Sequence, residues 1–95
     1  MERFVKGEVV VLEFPYTDLS KTKKRPSLII ASLRGDNLIL CQITGQPRPD
    51  PDLINLKKGD FQTGGLQRDS FVLPSFVFTI HKSKINYVAG KIKQE

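Results

Sequence analysis

The chain has 95 residues, of which 39% are hydrophobic, and a net charge of +5. This length supports a single compact domain over residues 1–95, and no apolar run approaches the roughly 18 residues that a membrane span requires. The single cysteine, Cys41, excludes a disulfide framework, and the absence of a signal-peptide pattern predicts a cytoplasmic protein.

Two strands are predicted near the N terminus, over residues 8–14 and 26–32, because both segments are rich in β-branched and aliphatic residues. A polar loop between them carries Lys21, Lys23, Lys24 and Arg25, and no acidic residue occurs from position 20 to 34. Pro26 pushes Arg25 toward an extended backbone, which places the guanidinium at the lip of a strand. A planar fork of donors at such an edge suits the binding of a phosphate.

A hairpin turn is predicted at residues 34–37, followed by a third strand over 38–44. Pairing of the second and third strands about this turn brings Thr44 near residues 25–27. The sequence therefore predicts a hydroxyl, that of Thr44, beside the guanidinium of Arg25 at one end of the hairpin.

The second half of the chain predicts shorter elements. Residues 45–52 contain three prolines at alternate positions and form an extended loop, which is either a connector or a segment that brings Gln46 and Arg48 to the site. Further strands are expected at 53–56, 69–73 and 79–80, with a helical turn or extended run at 75–78 and a helical turn at 85–88 between Ser83 and Gly90.

Single residues in this half are also assigned. The pair Gly64 and Gly65 indicates positive φ or a close backbone approach. Phe71, Phe76 and Phe78 are expected in the core. His81 is the only histidine, but no orienting carboxylate lies near it in the sequence, so we assign it no acid–base role.

A series of short motifs resembles the PemK/MazF family of bacterial toxins from toxin–antitoxin pairs. The motifs are Lys6-Gly7-Glu8, a strand ending at Phe14, Lys24-Arg25-Pro26, Ile43-Thr44, Gly64-Gly65-Leu66, Ser70, Thr79-Ile80, and Gly90 before Ile92. They occur in the family's order over nearly the whole chain. Members commonly continue into a longer C-terminal helix that contributes to dimer contacts, whereas this sequence ends at Glu95.

The resemblance implies a mainly β fold, a small SH3-like β-barrel with short helical turns. It implies a sequence-selective endoribonuclease that cleaves single-stranded RNA without a metal or other cofactor, works as a homodimer and is blocked by an antitoxin with an acidic, disordered tail. The family's catalytic Arg and Thr map onto Arg25 and Thr44. We assign RNA binding to a further set of polar residues: Lys21, Lys23, Lys24, Gln46 and Arg48.

Two other functions remain open at this stage. An SH3-like module that binds RNA or a protein without cutting it needs the basic loop but no catalytic pair. Inhibition of DNA gyrase, by analogy with the CcdB toxins, ranks last, because those toxins act through a C-terminal segment with Trp and this chain has no Trp. The fold class is common to all three functions and does not choose among them.

Overall fold

The computed structural model describes residues 3–15, 22–47 and 49–93. Seven strands form one antiparallel sheet that curls into a half-barrel, in the spatial order β4-β6-β3-β2-β1-β7-β5. The strands are β1 (Glu8–Pro15), β2 (Thr22–Ser32), β3 (Asn37–Thr44), β4 (Ile54–Leu56), β5 (Phe61–Gly64), β6 (Ser70–His81) and β7 (Ile85–Ile92). Three short 3-10 turns lie at Arg34–Asp36, Lys58–Asp60 and Lys82–Lys84. The predicted mainly β fold is confirmed.

The core lies on both faces of the sheet, because successive side chains of a strand point to opposite sides. Val10 and Leu12 of β1 belong to one buried cluster, whereas Val9 belongs to a second. The first cluster holds Phe4, Val10, Leu12, Ile29, Leu38 and Leu40, and the second holds Val9, Cys41, Ile43, Leu56, Phe61 and Val72. The curl of the sheet closes the first cluster, where the rings of Phe14 and Phe78 meet edge to face with centroids 5.3 Å apart.

The first three strands agree closely with the prediction. The hairpin register pairs Leu28 with Cys41 and Ser27 with Gln42, as the position of the predicted turn requires. β2 begins at Thr22, four residues earlier than expected, and Pro26 lies inside it. This proline is tolerated because β3 pairs with β2 no further than Ser27, so β2 is an edge strand on that side.

β6 is one long strand where the sequence predicted two short ones. Pro74 does not end the strand, because Gln42 pairs with Leu73 and Cys41 pairs with Val77, which leaves residues 74–76 outside the ladder with β3. A proline costs no ladder hydrogen bond at such an interruption. Phe76 lies in this segment and is 46% exposed, so its assignment to the core was wrong.

The predicted helical turn at residues 85–88 was also wrong, because these residues belong to β7. Gly90 lies inside the strand rather than at a helix end. A Cβ on Gly90 would lie 2.5 Å from the carbonyl oxygen of Thr63, and one on Gly64 would collide with the carbonyl oxygen of Ala89. The close backbone approach predicted for the glycine pair is therefore present: Gly64 has a φ of +63° and lies against β7.

Candidate nucleic-acid groove

The candidate site opens where β2 and β3 separate. The β2–β3 ladder ends at the pair Ser27–Gln42, whereas β2 continues alongside β1 to Thr22. A groove of about 650 Å³ lies beside this point. Its walls come from five strands and two connections: Val11, Lys23, Lys24, Arg25, Pro26, Ile43, Gly45, Gly65, Leu66, Gln67, Arg68, Ser70, Tyr87, Val88 and Ala89. We call this the basic groove.

Among the described residues, the basic groove is lined by four cations, Lys23, Lys24, Arg25 and Arg68, and by no acidic side chain. Glu13 lies opposite Lys24 in the β1–β2 register but does not line the groove. The low dielectric of the surrounding apolar walls strengthens the attraction of such a cluster for a polyanion. The groove therefore fits a chain of phosphates better than a neutral ligand.

Arg25 stands on the β2 wall, as the sequence predicted. In the β1–β2 register it lies opposite Leu12, and its neighbours Lys23 and Lys24 lie opposite Phe14 and Glu13. Pairing with β1 fixes the backbone that carries all three cations. Arg25 is partly buried, whereas Lys23 and Lys24 are exposed.

Thr44 is next to the basic groove but buried beside it. Its two neighbours in sequence, Ile43 and Gly45, line the groove, whereas Thr44 itself does not and is only 3% exposed. Its hydroxyl accepts a hydrogen bond from the backbone N–H of Gln46 at 3.3 Å. An oxygen that accepts this bond still has a proton to donate.

The other predicted RNA-binding residues are distributed differently. Gln46 is exposed just past the end of β3 and does not line the groove. Lys21 and Arg48 lie outside the described residues. The structure thus brings together Lys23, Lys24 and Arg25 among the residues that we assigned from the sequence.

Two groove residues, Arg68 and Tyr87, were missed by the sequence reasoning. Arg68 comes from the connection between β5 and β6, and Tyr87 comes from β7, which was expected to be helical. The alternation of apolar residues in Ile85–Ile92 was the signal that identifies Tyr87 as a strand residue. No local signal points to Arg68, whose position depends on the approach of Gly64 to β7.

The histidine and the cysteine lie elsewhere. The Nδ1 atom of His81 accepts the backbone N–H of Ser83 at 3.1 Å and lies 2.9 Å from its hydroxyl, so this side chain caps the turn Lys82–Lys84. Cys41 is a free, buried thiol, and burial raises its pKa. Among the described residues, no three His, Cys, Asp or Glu side chains cluster as a metal site requires.

No helix among the described residues is long and apolar enough to cross a membrane. Comparison with curated protein sequences finds no significant relative. Among solved structures, the chain matches one described as "Endoribonuclease in complex with its cognate antitoxin from Mycobacterial species", with a TM-score of 0.68 and 14% identity. The match covers 96% of this chain and 81% of that one. At this identity the likeness concerns the fold.

The family follows from a different comparison. The model of a family described as "PemK-like, MazF-like toxin of type II toxin-antitoxin system" matches residues 5–95. The match extends over the strands and the basic groove and agrees with the order of motifs read from the sequence. The chain therefore belongs to the PemK-like, MazF-like family of toxins of type II toxin–antitoxin systems.

Proposed function

We propose that the protein is the toxin of a toxin–antitoxin pair and acts as a sequence-selective endoribonuclease on single-stranded RNA. The observation that carries this proposal is the basic groove, a cleft of about 650 Å³ whose lining, over the described part of the chain, has four cations and no acidic residue, in a chain of this toxin family. A structural neighbour with the same fold is described as an endoribonuclease. Single-stranded RNA offers both the phosphates for the cations and unpaired bases for sequence selection.

RNA supplies its own nucleophile, the 2′-hydroxyl, so the enzyme needs little covalent chemistry. The 2′-oxygen attacks the adjacent phosphorus, the bond to the 5′-oxygen breaks, and the products are a 2′,3′-cyclic phosphate and a 5′-hydroxyl. The protein must hold the attacking and leaving oxygens in line and stabilise the charge that develops on the phosphoryl oxygens. No metal is required for either task.

In this proposal Arg25 is the catalytic residue that binds the scissile phosphate. Its charge is permanent, because a guanidinium does not lose its proton in proteins, and its fork matches two phosphate oxygens. Thr44 donates a hydrogen bond to the same phosphate, next to the groove-lining residues Ile43 and Gly45. Because Thr44 is buried, the phosphate has to sit deep, against the end of β3.

Proton transfer is the weaker part of this catalytic apparatus. The groove lining contributed by residues 3–15, 22–47 and 49–93 contains no histidine and no carboxylate, and His81 is engaged with Ser83 in a turn. Alignment of the 2′-oxygen and charge stabilisation by Arg25 therefore supply most of the rate enhancement. Such an enzyme is slow and depends strongly on the geometry that the bound sequence imposes.

The cognate antitoxin is proposed to cover the same groove with an acidic, disordered segment. Complementary charge makes association fast and sensitive to salt. The structural neighbour is described as bound to its cognate antitoxin, which supports an antitoxin partner here. We further propose a homodimer, and the sedimentation coefficient of the purified protein at micromolar concentration tests it.

The decisive experiment incubates the protein with a long RNA in the presence of a chelator and maps the new 5′ ends. We expect discrete cuts with 5′-hydroxyl and 2′,3′-cyclic phosphate ends. An oligonucleotide with one 2′-deoxy sugar at the mapped cut site should resist cleavage there. Normal cleavage of that oligonucleotide would refute attack by the 2′-hydroxyl.

A non-catalytic RNA-binding module is the second candidate, and the burial of Thr44 is the observation that favours it. This function uses the same cations but leaves RNA intact. Retention of RNA by the purified protein without new 5′ ends, with and without added divalent ions, would select this function over the nuclease.

A further inference from the structure

We propose that Tyr87 and Arg68 form a nucleotide-binding wall opposite Arg25, in which Tyr87 stacks on a base and Arg68 binds a neighbouring phosphate. This inference rests on the proposed function, because it takes single-stranded RNA as the occupant of the basic groove. It adds two residues that neither the sequence motifs nor the family resemblance assigned. Both line the groove together with Arg25, Lys23 and Lys24.

Tyr87 is placed to offer a ring face to the groove. It lies on β7 directly opposite Val11 of β1, and it is 54% exposed. Among the described residues, β5 pairs with β7 only at Gly90–Ile92, so no strand covers the outer edge of β7 at position 87. An exposed aromatic ring beside a row of cations is the combination that holds single-stranded nucleic acid, because every base has a face that can stack.

Arg68 is held near the end of β3 by contacts with Gly45. A Cβ atom on Gly45 would lie 3.3 Å from Nε of Arg68 and 3.6 Å from its Cζ, so the guanidinium lies against the backbone at this glycine. The hydroxyl of Ser70 donates to the carbonyl of Arg68 at 3.1 Å and restrains the same connection. Arg68 is exposed, and its planar fork can bind two oxygens of one phosphate.

The charges identify the occupant of this wall as a nucleic acid. The lining has four cations and no carboxylate where the structure describes the chain, whereas a second copy of the chain carries a net charge of +5 and offers no general complement to it. The groove's volume of about 650 Å³ falls within the range of pockets that enclose a ligand of nucleotide size. Arg25 and Arg68 both line the groove, Arg25 from β2 and Arg68 from the β5–β6 connection.

Tyrosine fluorescence tests the stacking directly, because the chain has two tyrosines and no tryptophan. In a Tyr16→Phe variant, Tyr87 is the only tyrosine in the sequence. A single-stranded oligonucleotide with 2′-O-methyl sugars is not cut and should quench this fluorescence on binding. The same oligonucleotide with abasic residues keeps its phosphates and should bind without the quenching.

Binding measurements on variants test both residues separately. Tyr87→Ala should weaken binding of the normal oligonucleotide by roughly 5- to 150-fold, the usual range for one stacked base, and should not change binding of the abasic one. Tyr87→Phe keeps the ring and should recover most of the lost affinity. Arg68→Ala should weaken both oligonucleotides and lower the slope of log K against log salt by about 0.7, the loss of one phosphate contact.

Matched controls lie outside the groove. Phe76→Ala removes another exposed aromatic ring, and Arg34→Ala removes an exposed arginine from the turn Arg34–Asp36, and neither should change oligonucleotide binding. Circular dichroism and thermal unfolding of each variant verify that Tyr87→Ala and Arg68→Ala remain folded.

The outcomes separate this inference from the nuclease proposal. If the 2′-O-methyl oligonucleotide quenches the fluorescence but the unmodified oligonucleotide is never cut, the wall is supported and the nuclease is refuted. Cleavage that is equally efficient in Tyr87→Ala and Arg68→Ala, with unchanged binding, refutes the wall and leaves the nuclease. The wall is also refuted if the fluorescence changes with protein concentration alone and Tyr87→Ala abolishes self-association. That result would assign Tyr87 to a subunit contact.

Discussion

Arg25 on β2 and Thr44 on β3 lie on the same face of the sheet, each two residues beyond the Ser27–Gln42 pair that ends the β2–β3 ladder. Strand alternation establishes the shared face, since Ser27 pairs with Gln42 and side chains two positions apart point the same way. The strands separate at this point, so the guanidinium and the hydroxyl flank a gap in the ladder. In the proposed mechanism, a phosphate that enters this gap receives a charged donor from Arg25 and a neutral donor from Thr44.

Arg25→Ala should lower the initial rate of RNA cleavage in chelator by about 100- to 1000-fold, because it removes a preorganised donor for the developing charge. Arg25→Lys restores the charge but not the two-pronged geometry and should recover only part of the rate. Arg34→Ala removes an exposed guanidinium at the opposite end of the β2–β3 hairpin and serves as the control. Cleavage by Arg25→Ala at the wild-type rate would remove Arg25 from the mechanism.

Thr44→Val keeps the volume of the buried side chain and removes its hydroxyl. Loss of one hydrogen bond to a charged phosphate, worth about 1.5–3 kcal/mol, should slow cleavage by about ten- to hundredfold. Thr44→Ser retains the hydroxyl and should cleave faster than Thr44→Val. If both variants cleave equally well while thermal unfolding differs, Thr44 serves only to hold the backbone N–H of Gln46.

Gly64→Ala should destabilise the fold, because a Cβ there meets the carbonyl of Ala89 and the residue has a φ of +63°. We expect a loss of at least about 1–3 kcal/mol in the free energy of unfolding measured with urea. Gly59→Ala is the matched control, since no atom lies within 4 Å of its added Cβ. That substitution should change stability by less than about 1 kcal/mol, in the stabilising direction. Equal effects at the two glycines would contradict the close approach.

Ser27→Ala should stabilise the protein. The Ser27 hydroxyl is fully buried and is the buried side-chain polar atom without a hydrogen-bond partner among the described residues. A buried polar group in this condition costs roughly 1–3 kcal/mol, which the alanine avoids. Ser70→Ala provides the contrast, because it removes a buried hydroxyl that donates to the Arg68 carbonyl, and it should lower stability. Urea denaturation of both variants measures the difference.

The Cys41 thiol makes the free energy of unfolding decrease as the pH becomes alkaline. Burial raises the pKa of this thiol in the folded state, so above about 8.5 the unfolded chain loses a proton that the folded chain keeps. Its contribution is therefore complete below that pH and declines as pH rises through the alkaline range. Cys41→Ala should show a shallower decline than the wild type between pH 8 and 10. An alkylating reagent should modify Cys41 rapidly in urea and slowly in the native protein.

The parts of the fold that could be predicted from the sequence depend on local patterns. Two runs of β-branched residues around one turn determined the register of β2 and β3, and with it the shared face of Arg25 and Thr44. The basic residues before Pro26 were a local signal as well. These features needed no knowledge of distant strands.

The parts that were missed depend on contacts between distant segments. Pro74 ends a strand in most sequence contexts, and only the interruption of the β3–β6 ladder at residues 74–76 makes it harmless. Ser83 suggested a helix cap, but the side chain that caps the following turn is His81. Arg68 reaches the groove because it lies in the connection that follows Gly64, which packs closely against β7. This close approach requires two glycines, Gly64 and Gly90, that are far apart in sequence.

The pairing of β1 with β7 also determines at what point of translation the basic groove can form. Val11 emerges from the ribosome long before Tyr87, and the two are paired neighbours in the lining of the basic groove, so this cleft cannot assemble before β7 has been made. Pairings between such distant segments are slow to form, which delays the transition to the active shape. Under the proposed function, this delay leaves an interval after translation in which a cognate antitoxin can bind the newly completed chain.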